Sequence, residues 1–245
     1  MADEVLYSVT DGVATITLNA PDRRNALSVE SSHELVDAAR TAEADTSVGA
    51  VIVTGGKHFC AGAVREVLAD NGKDPVEDSA YRKLGAVYGA FTVIGELAVP
   101  TVAAVRGAAV GAGLNLALAT DARIVSKTAR LLPGFAQIGI HPGGGHFTLL
   151  NRAGGREMAA AMGMFGEELS GERAVALGMA WSAHEDDEVE AAAQTFAGRV
   201  AKDPELARKL VLSFRRETRP GGVQWDVAVE LERSPQMWSL RRQHP

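Results

Sequence analysis

Two uncharged runs, Ala50 to Thr54 (AVIVT) and Thr101 to Val105 (TVAAV), constrain this chain more than any other feature. A strand with one wet face alternates polar and apolar residues, whereas a short continuous apolar run suits a strand covered on both faces of a parallel sheet. Between the two runs, Leu84, Val87, Phe91, Ile94 and Leu97 recur on one helical stripe from about Tyr81 to Leu97, stopping before Pro100. Ahead of the first run, Ser28 is placed to cap a helix in which Leu35, Val36 and Ala39 recur through Ala42. Strand, helix, strand in one sheet implies a right-handed crossover, so the core is expected to be α/β.

The same punctuation extends the pattern in both directions. Val5 to Val9 and the alternating Ala14, Ile16 and Leu18 flank Asp11-Gly12, a two-residue hairpin signal, and Pro21 to Asn25 breaks the second strand. After Val105 come a glycine-rich turn, a short apolar helix from about Gly113 to Ala119 and a strand at Ala122 to Ser126. Asp70 to Ser79 is polar and aperiodic, which predicts a mobile surface loop of the kind that covers sites. Ala174 to Leu177 reads as a short helix closed by Gly178, and the chain beyond Asp187 reads as three helices. The expected organisation is a core over 1–190 and a helical region over 191–245 that is not an independent domain.

At 245 residues and 46% hydrophobic the chain can bury a core without disulfides or metals. Gly107 to Thr120, an uncharged stretch near the middle, is shorter than the ~18 to 20 apolar residues that span a bilayer. The acidic start MADEVLYSV and a single cysteine, Cys60, predict a cytoplasmic protein without disulfides or a cysteine-built metal site. A net charge of −6 opposes nucleic-acid binding. From Arg199 to Pro245 the balance reverses, with ten Lys/Arg against six Asp/Glu, which suits either a polyanionic ligand or a solvated helical face.

Two segments of small residues carry the chemistry: Phe59-Cys60-Ala61-Gly62-Ala63, and Gly107 to Gly113 (GAAVGAG). Each follows a buried parallel strand, at the carboxyl end where open α/β sheets bind ligands. Glycine and alanine let a backbone N–H approach a ligand oxygen, and the second segment also opens a helix, whose N-terminal amides favour negative charge. Two converging amides make an oxyanion hole; the alternative is that the small residues serve only tight turns and close packing. Gly111-Ala112-Gly113 is not a dinucleotide fingerprint, since Leu116 replaces its third glycine, and no nucleophile elbow, zinc-protease or phosphate-loop pattern occurs.

The ordered blocks ATITLNAPDRRNALS (14–28), AVIVTGGKHFCAGA (50–63), PTVAAVRGAAVGAGLNLALATD (100–121) and IGIHPGGG (138–145) resemble those of the crotonase, or enoyl-CoA hydratase/isomerase, superfamily. The resemblance covers nearly the whole chain. It implies a spiral of ββα units, a C-terminal helical region that assembles trimers or dimers of trimers, an acyl-CoA thioester as substrate and no cofactor beyond the coenzyme A the substrate brings. Carried over by position, the oxyanion amides fall on Ala63 and Ala112, and the substrate-binding backbone on Ala61, Gly62, Val64 and Gly111. Arg23 and Arg24 fall in the block beside the CoA phosphates.

The departures from the family pattern bear on the reaction. Asn115 stands at the first hydratase glutamate position, Gly134 and Phe135 at the Pro-Glu pair that carries the second, and Val64 at a usual aspartate. Asparagine can orient a water or a carbonyl but cannot shuttle a proton, and phenylalanine can do neither. His141 and His146 flank Pro142 to Gly145 in the loop expected beyond Phe135, and a histidine titrates near neutrality. Glu66, Asp70, Asp74 and Tyr81, on or beside the expected lid, are further candidates. Three readings stay open: a crotonase relative with a different acid/base group, a non-catalytic acyl-CoA binder, and a hydratase with relocated groups.

Overall fold

The structure, a computed structural model, describes residues 3–73, 77–218 and 221–243. In chain order its elements are β1 (Val5–Thr10), β2 (Val13–Leu18), α1 (Val29–Ala44), β3 (Ala50–Thr54), α2 (Arg65–Lys73), α3 (Asp78–Glu96), β4 (Thr101–Val105), β5 (Ala108–Val110) and α4 (Ala112–Ala119). There follow β6 (Ala122–Ser126), β7 (Arg130–Leu132), α5 (His146–Gly163), β8 (Leu169–Ser170), α6 (Gly171–Ala176), β9 (Ser182–His184), α7 (Val189–Ala201), α8 (Pro204–Thr218) and α9 (Trp225–Gln243).

A six-stranded sheet runs in the order β1-β2-β3-β4-β6-β9, parallel except for the β1–β2 hairpin. Its turn uses positive φ at both Asp11 (50°) and Gly12 (74°), the backbone that a right-twisted two-residue hairpin needs. Every residue of β3 and β4 is buried, as their continuous apolar runs require. One face of the sheet packs on α1, α3, α4 and α5; the other, formed by Val13, Ala50, Ile52, Val102, Ala104 and Ile124, is covered by Val189, Ala193, Ala197 and Ala201 of α7. The expected boundary near residue 190 therefore falls inside α7, whose buried stripe closes the core. A second sheet, β5-β7-β8, stacks the small-residue segment after β4 beside the chain leading to Phe135.

Ser28 caps α1 as expected, through a reciprocal box with Ser31. Two expectations are corrected. The stretch from Asp70 to Ser79 is not an open loop: α2 runs to Lys73, and Glu77 caps α3 by accepting from the Ser79 and Ala80 amides, while residues 74–76 lie outside the described residues. His146 does not lie in the loop expected beyond Phe135 either. It begins α5, an 18-residue helix that a non-helical Gly155 (φ 82°) kinks without ending, and this kinked Gly154-Gly155 pair is what hid the helix in the sequence. Among the described residues no helix is long and apolar enough to cross a membrane.

Candidate active site

Parallel bridging lays the two small-residue segments side by side. Cys60 N–H donates to the Ala108 carbonyl (3.0 Å), Val110 N–H donates to the Cys60 carbonyl (2.9 Å), and a further bridge ties Ala63 to Leu27. The approach leaves no room for side chains at two glycines. A Cβ on Gly113 would sit 2.3 Å from the Cys60 carbonyl oxygen; one on Gly62, already at φ 105°, would sit 3.1 Å from the Val110 oxygen and 4.0 Å from the Ala112 nitrogen. Ala63 and Ala112 are thereby brought together, and among the described residues neither amide donates a hydrogen bond. Ala112 opens α4, so its N–H is one of the orphan donors at a helix N-terminus, where the dipole favours negative charge.

One turn into α4, Asn115 is buried, with both ends of its side-chain amide in hydrogen bonds. Nδ2 donates to the Gly143 carbonyl (3.1 Å), and Oδ1 lies 2.7 Å from Nδ1 of His146. His146 is 1% exposed, and among the described residues its Nε2 has no hydrogen-bond partner. Burial pulls its pKa down to about 4, so the ring is neutral at physiological pH. A buried polar atom left unpaired costs ~1 to 3 kcal/mol. The Phe135 ring stands edge-on to the imidazole at 4.9 Å between centroids, and its tip lies 3.8 Å from where a Cβ on Gly111 would be. Phe135 thus bridges the space between the mouth of α4 and His146.

His141, by contrast, is exposed and turns Nδ1 toward the carbonyl of its neighbour Pro142 (2.7 Å). The structure brings His146 to Asn115 and leaves His141 at the surface. Arg23 is committed: its guanidinium binds both carboxylate oxygens of Glu4 and the Ala26 carbonyl, which holds the Glu4 carboxyl below its usual range. Arg24, at φ 52°, is exposed and in none of these bonds; its backbone N–H donates to the Pro21 carbonyl and its carbonyl accepts from the Ala61 N–H. Val64 is half-buried, its N–H donating to the Leu27 carbonyl, and Gly111 is the buried N-cap of α4. Glu66 on α2 and Tyr81 on α3 are exposed, Asp70 lies within α2, and Asp74 lies outside the described residues.

One participant escaped sequence reasoning. Tyr88 on α3 is half-buried, its hydroxyl held against the Gly143-Gly144 turn by the Gly144 backbone, and burial raises its pKa. A Cβ on Gly143 would overlap that hydroxyl, and one on Gly144 would overlap the Phe91 ring. The available signal was a hydroxyl within the apolar stripe, four residues after Leu84 and three before Phe91. Phe91 and Gly144 also wall a surface groove of about 560 Å³ between α3, α5 and α8.

A spiral of mostly parallel strands in which two small-residue turns meet, with neither the Ala63 nor the Ala112 amide donating a hydrogen bond among the described residues, defines an α/β protein with a candidate site at that meeting point. The chain belongs to the enoyl-CoA hydratase/isomerase family, whose model matches residues 8–232. It is 43% identical over 98% of its length to the probable enoyl-CoA hydratase EchA14 of Mycobacterium tuberculosis, covering 93% of that protein. To the 1,2-epoxyphenylacetyl-CoA isomerase of Escherichia coli it is 31% identical, over 96% of this chain and 90% of the relative. The crystal structure of an enoyl-CoA hydratase from Polaromonas sp. JS666 superposes with a TM-score of 0.87 at 25% identity, covering 96% of this chain and 91% of that one.

Proposed function

We propose that this chain is an acyl-CoA enzyme that stabilises a thioester enolate with the Ala63 and Ala112 amides, in a reaction other than standard hydration. The observation that carries the reading is the pair of adjacent amides without acceptors, one of them at a helix N-terminus. Each such donor is worth about 10² to 10³ in rate when it meets developing charge. Hydration needs in addition one group to take a proton from water and one to deliver a proton to carbon. The positions that the family resemblance assigns to those tasks hold Asn115 and Phe135. Arg24 is the cation free to meet the CoA phosphates, and the backbone of Ala61, Gly62, Val64 and Gly111 frames the thioester. No metal or further cofactor enters this chemistry.

The helices beyond the core support assembly. Leu210, Phe214, Trp225 and Met237 are at least half or nearly half exposed, at 51%, 49%, 85% and 61%, and α9 packs chiefly on α8. Exposed apolar area of this kind calls for a partner, and the reading includes a homotrimer or dimer of trimers.

The test combines calorimetry with mass spectrometry after incubation with enoyl, 3-hydroxy, malonyl-type and aromatic CoA thioesters. Binding with turnover of at least one ester is expected. Binding without turnover of any would favour the second reading, a non-catalytic acyl-CoA carrier, which Asn115 and Phe135 at the positions resemblance assigns to carboxylates support. No heat with any ester up to millimolar concentration would remove acyl-CoA from the reading altogether.

A further inference from the structure

We propose that the groove between α3, α5 and α8 binds a monoanionic amphiphile, a medium-chain aliphatic carboxylate whose head group is held by Arg123 and Arg152. The proposal stands apart from the acyl-CoA reading and uses neither of the paired amides. It is carried by the state of one guanidinium, the charge left over around it and the walls of the groove.

Arg123 lies near the start of β6 and reaches back to the end of α4. Its Nη1 donates to the Thr120 carbonyl (2.8 Å) and its Nε to the Met179 carbonyl (2.7 Å). Among the described residues Nη2 has no acceptor and no carboxylate bonds this guanidinium, which lines the groove. Burial pulls its pKa down, and Asp121 is the charge that opposes the shift. Asp121 is already committed. Arg215 donates to it through Nε (3.1 Å) and Nη2 (2.8 Å), and Thr101 donates through its amide (2.8 Å) and its hydroxyl (2.9 Å). A desolvated cation whose neighbouring carboxylate is spent on another cation is stabilised by an added anion.

The remaining charges set the class of that anion. Arg215 and Asp121 cancel as an ion pair. Arg152 on α5 and Glu96 on α3 both line the groove, both are exposed, and among the described residues Arg152 makes no hydrogen bond or ion pair. Arg123 is therefore the positive charge in excess, which balances one carboxylate rather than a dianion. A guanidinium meets a carboxylate through parallel N–H donors, and the unspent Nη2 with the free Arg152 supplies them. Phe91, Leu118, Leu149 and Phe214 are apolar walls, and the volume of about 560 Å³ lies within the ~300 to 1,000 Å³ of small-molecule sites. A bare inorganic anion uses the arginines and leaves these walls wet; an aliphatic carboxylate uses both.

The test is calorimetry with octanoate on the wild-type protein in its own state of assembly. Saturable binding in the millimolar range or tighter is expected, weakening as salt is raised. Binding should be at least about tenfold weaker for 1-octanol, which has the chain without the charge, and for inorganic phosphate, which has charge without a chain. Thr92→Trp, placed on the groove wall at an exposed position, and Arg152→Gln should each lower octanoate affinity at least about fivefold with unchanged urea midpoints. Arg123→Lys, which keeps a charge and loses the fork, should lower it too; because that side chain also holds two carbonyls, the other two variants decide the matter where this one fails to fold. Saturating acetyl-CoA should leave octanoate affinity unchanged, and competition between them would place the carboxylate at the thioester site and overturn the proposal. So would a wild type that ignores octanoate, variants that bind it as well as the wild type, or equal binding of 1-octanol. If octanoate fails to bind while Thr92→Trp and Arg152→Gln alter the mass seen by light scattering, the occupant is a second copy of the chain and the proposal falls.

Discussion

Nδ1 of His146 lies 2.7 Å from Oδ1 of Asn115, a residue 31 positions earlier, and both side chains are buried. The pair occupies the ground between α4 and α5 where, by resemblance, a hydratase would place its first carboxylate. A carboxylate there would carry a charge; the amide and neutral imidazole carry none. The difference governs what the site can do and how it responds to pH.

Crotonyl-CoA is expected to bind without appreciable hydration. Lacking a proton donor and a water-activating group at Asn115 and Phe135, the chain should hydrate it at least about 10⁴-fold more slowly than a site holding both groups. The decrease of enoyl absorbance with time measures this directly. A kcat in the common range of roughly 1 to 10³ s⁻¹ would overturn the carry-over of residues around Pro133 to Ile138.

Acid should destabilise the fold through His146. Its pKa falls from an ordinary 6.5 to about 4 on burial, so between these values the unfolded chain binds a proton that the native state refuses. The contribution is fully favourable above 6.5 and declines as pH falls toward 4, by about 2 to 3 kcal/mol at pH 4.5. Urea unfolding at pH 7 and pH 4.5 should show this loss in the wild type and less of it in His146→Gln. Equal acid sensitivity in both proteins would contradict the burial of a neutral ring.

Gly113→Ala should harm both fold and binding. The added Cβ would lie 2.3 Å from the Cys60 carbonyl oxygen, and backbone rather than a flexible side chain must yield. A loss of at least about 2 kcal/mol by urea unfolding is expected, with weakened acyl-CoA binding because the two amides are pushed apart. Gly198→Ala, where a Cβ meets nothing within 4 Å, serves as the control and should change neither.

The two arginines of the first turn should separate by assay. Arg24→Ala, at an exposed guanidinium, should weaken CoA-ester binding about fivefold, or ~1 kcal/mol, with unchanged stability. Arg23→Ala breaks the clamp on Glu4 and the Ala26 carbonyl and should cost about 1 kcal/mol of stability with little change in affinity. Calorimetry and urea unfolding read the two effects independently, and the reverse pattern would return Arg23 to the ligand.

Light scattering at micromolar concentration should give a trimer or a dimer of trimers. The expectation rests on the apolar residues exposed on α8 and α9. Leu210→Asp with Phe214→Asp should dissociate the assembly without unfolding the sheet, since both side chains lie about half exposed. A wild-type monomer would count decisively against the assembly.

Much of the core was legible locally. The hairpin at Asp11-Gly12, the cap at Ser28 and the buried strands β3 and β4 announce themselves because each depends on a few adjacent residues. The short strands β5, β7, β8 and β9 do not, because two or three residues carry no period, and only their partners across the fold make them strands. Helix α5 was hidden for a related reason: its Gly154-Gly155 kink reads as a break, yet Leu150, Met158 and Met162 on either side pack into one core.

The sequence by itself determined the family, the parallel α/β core and the two small-residue turns, because small side chains at fixed spacing after buried strands are a local property of the chain. It also determined that asparagine and phenylalanine, rather than carboxylates, occupy the positions that resemblance assigns to glutamate. Only the tertiary structure decided which histidine packs against Asn115. His141 and His146 are equivalent as letters flanking one glycine run, but helix α5 begins at the second and carries it inward to Asn115, while the first faces solvent. Likewise Arg23 and Arg24 are adjacent and alike until Glu4, nineteen residues away from the first, takes one of them. Partner choice depends on contacts between distant segments, and those exist only once the chain has folded.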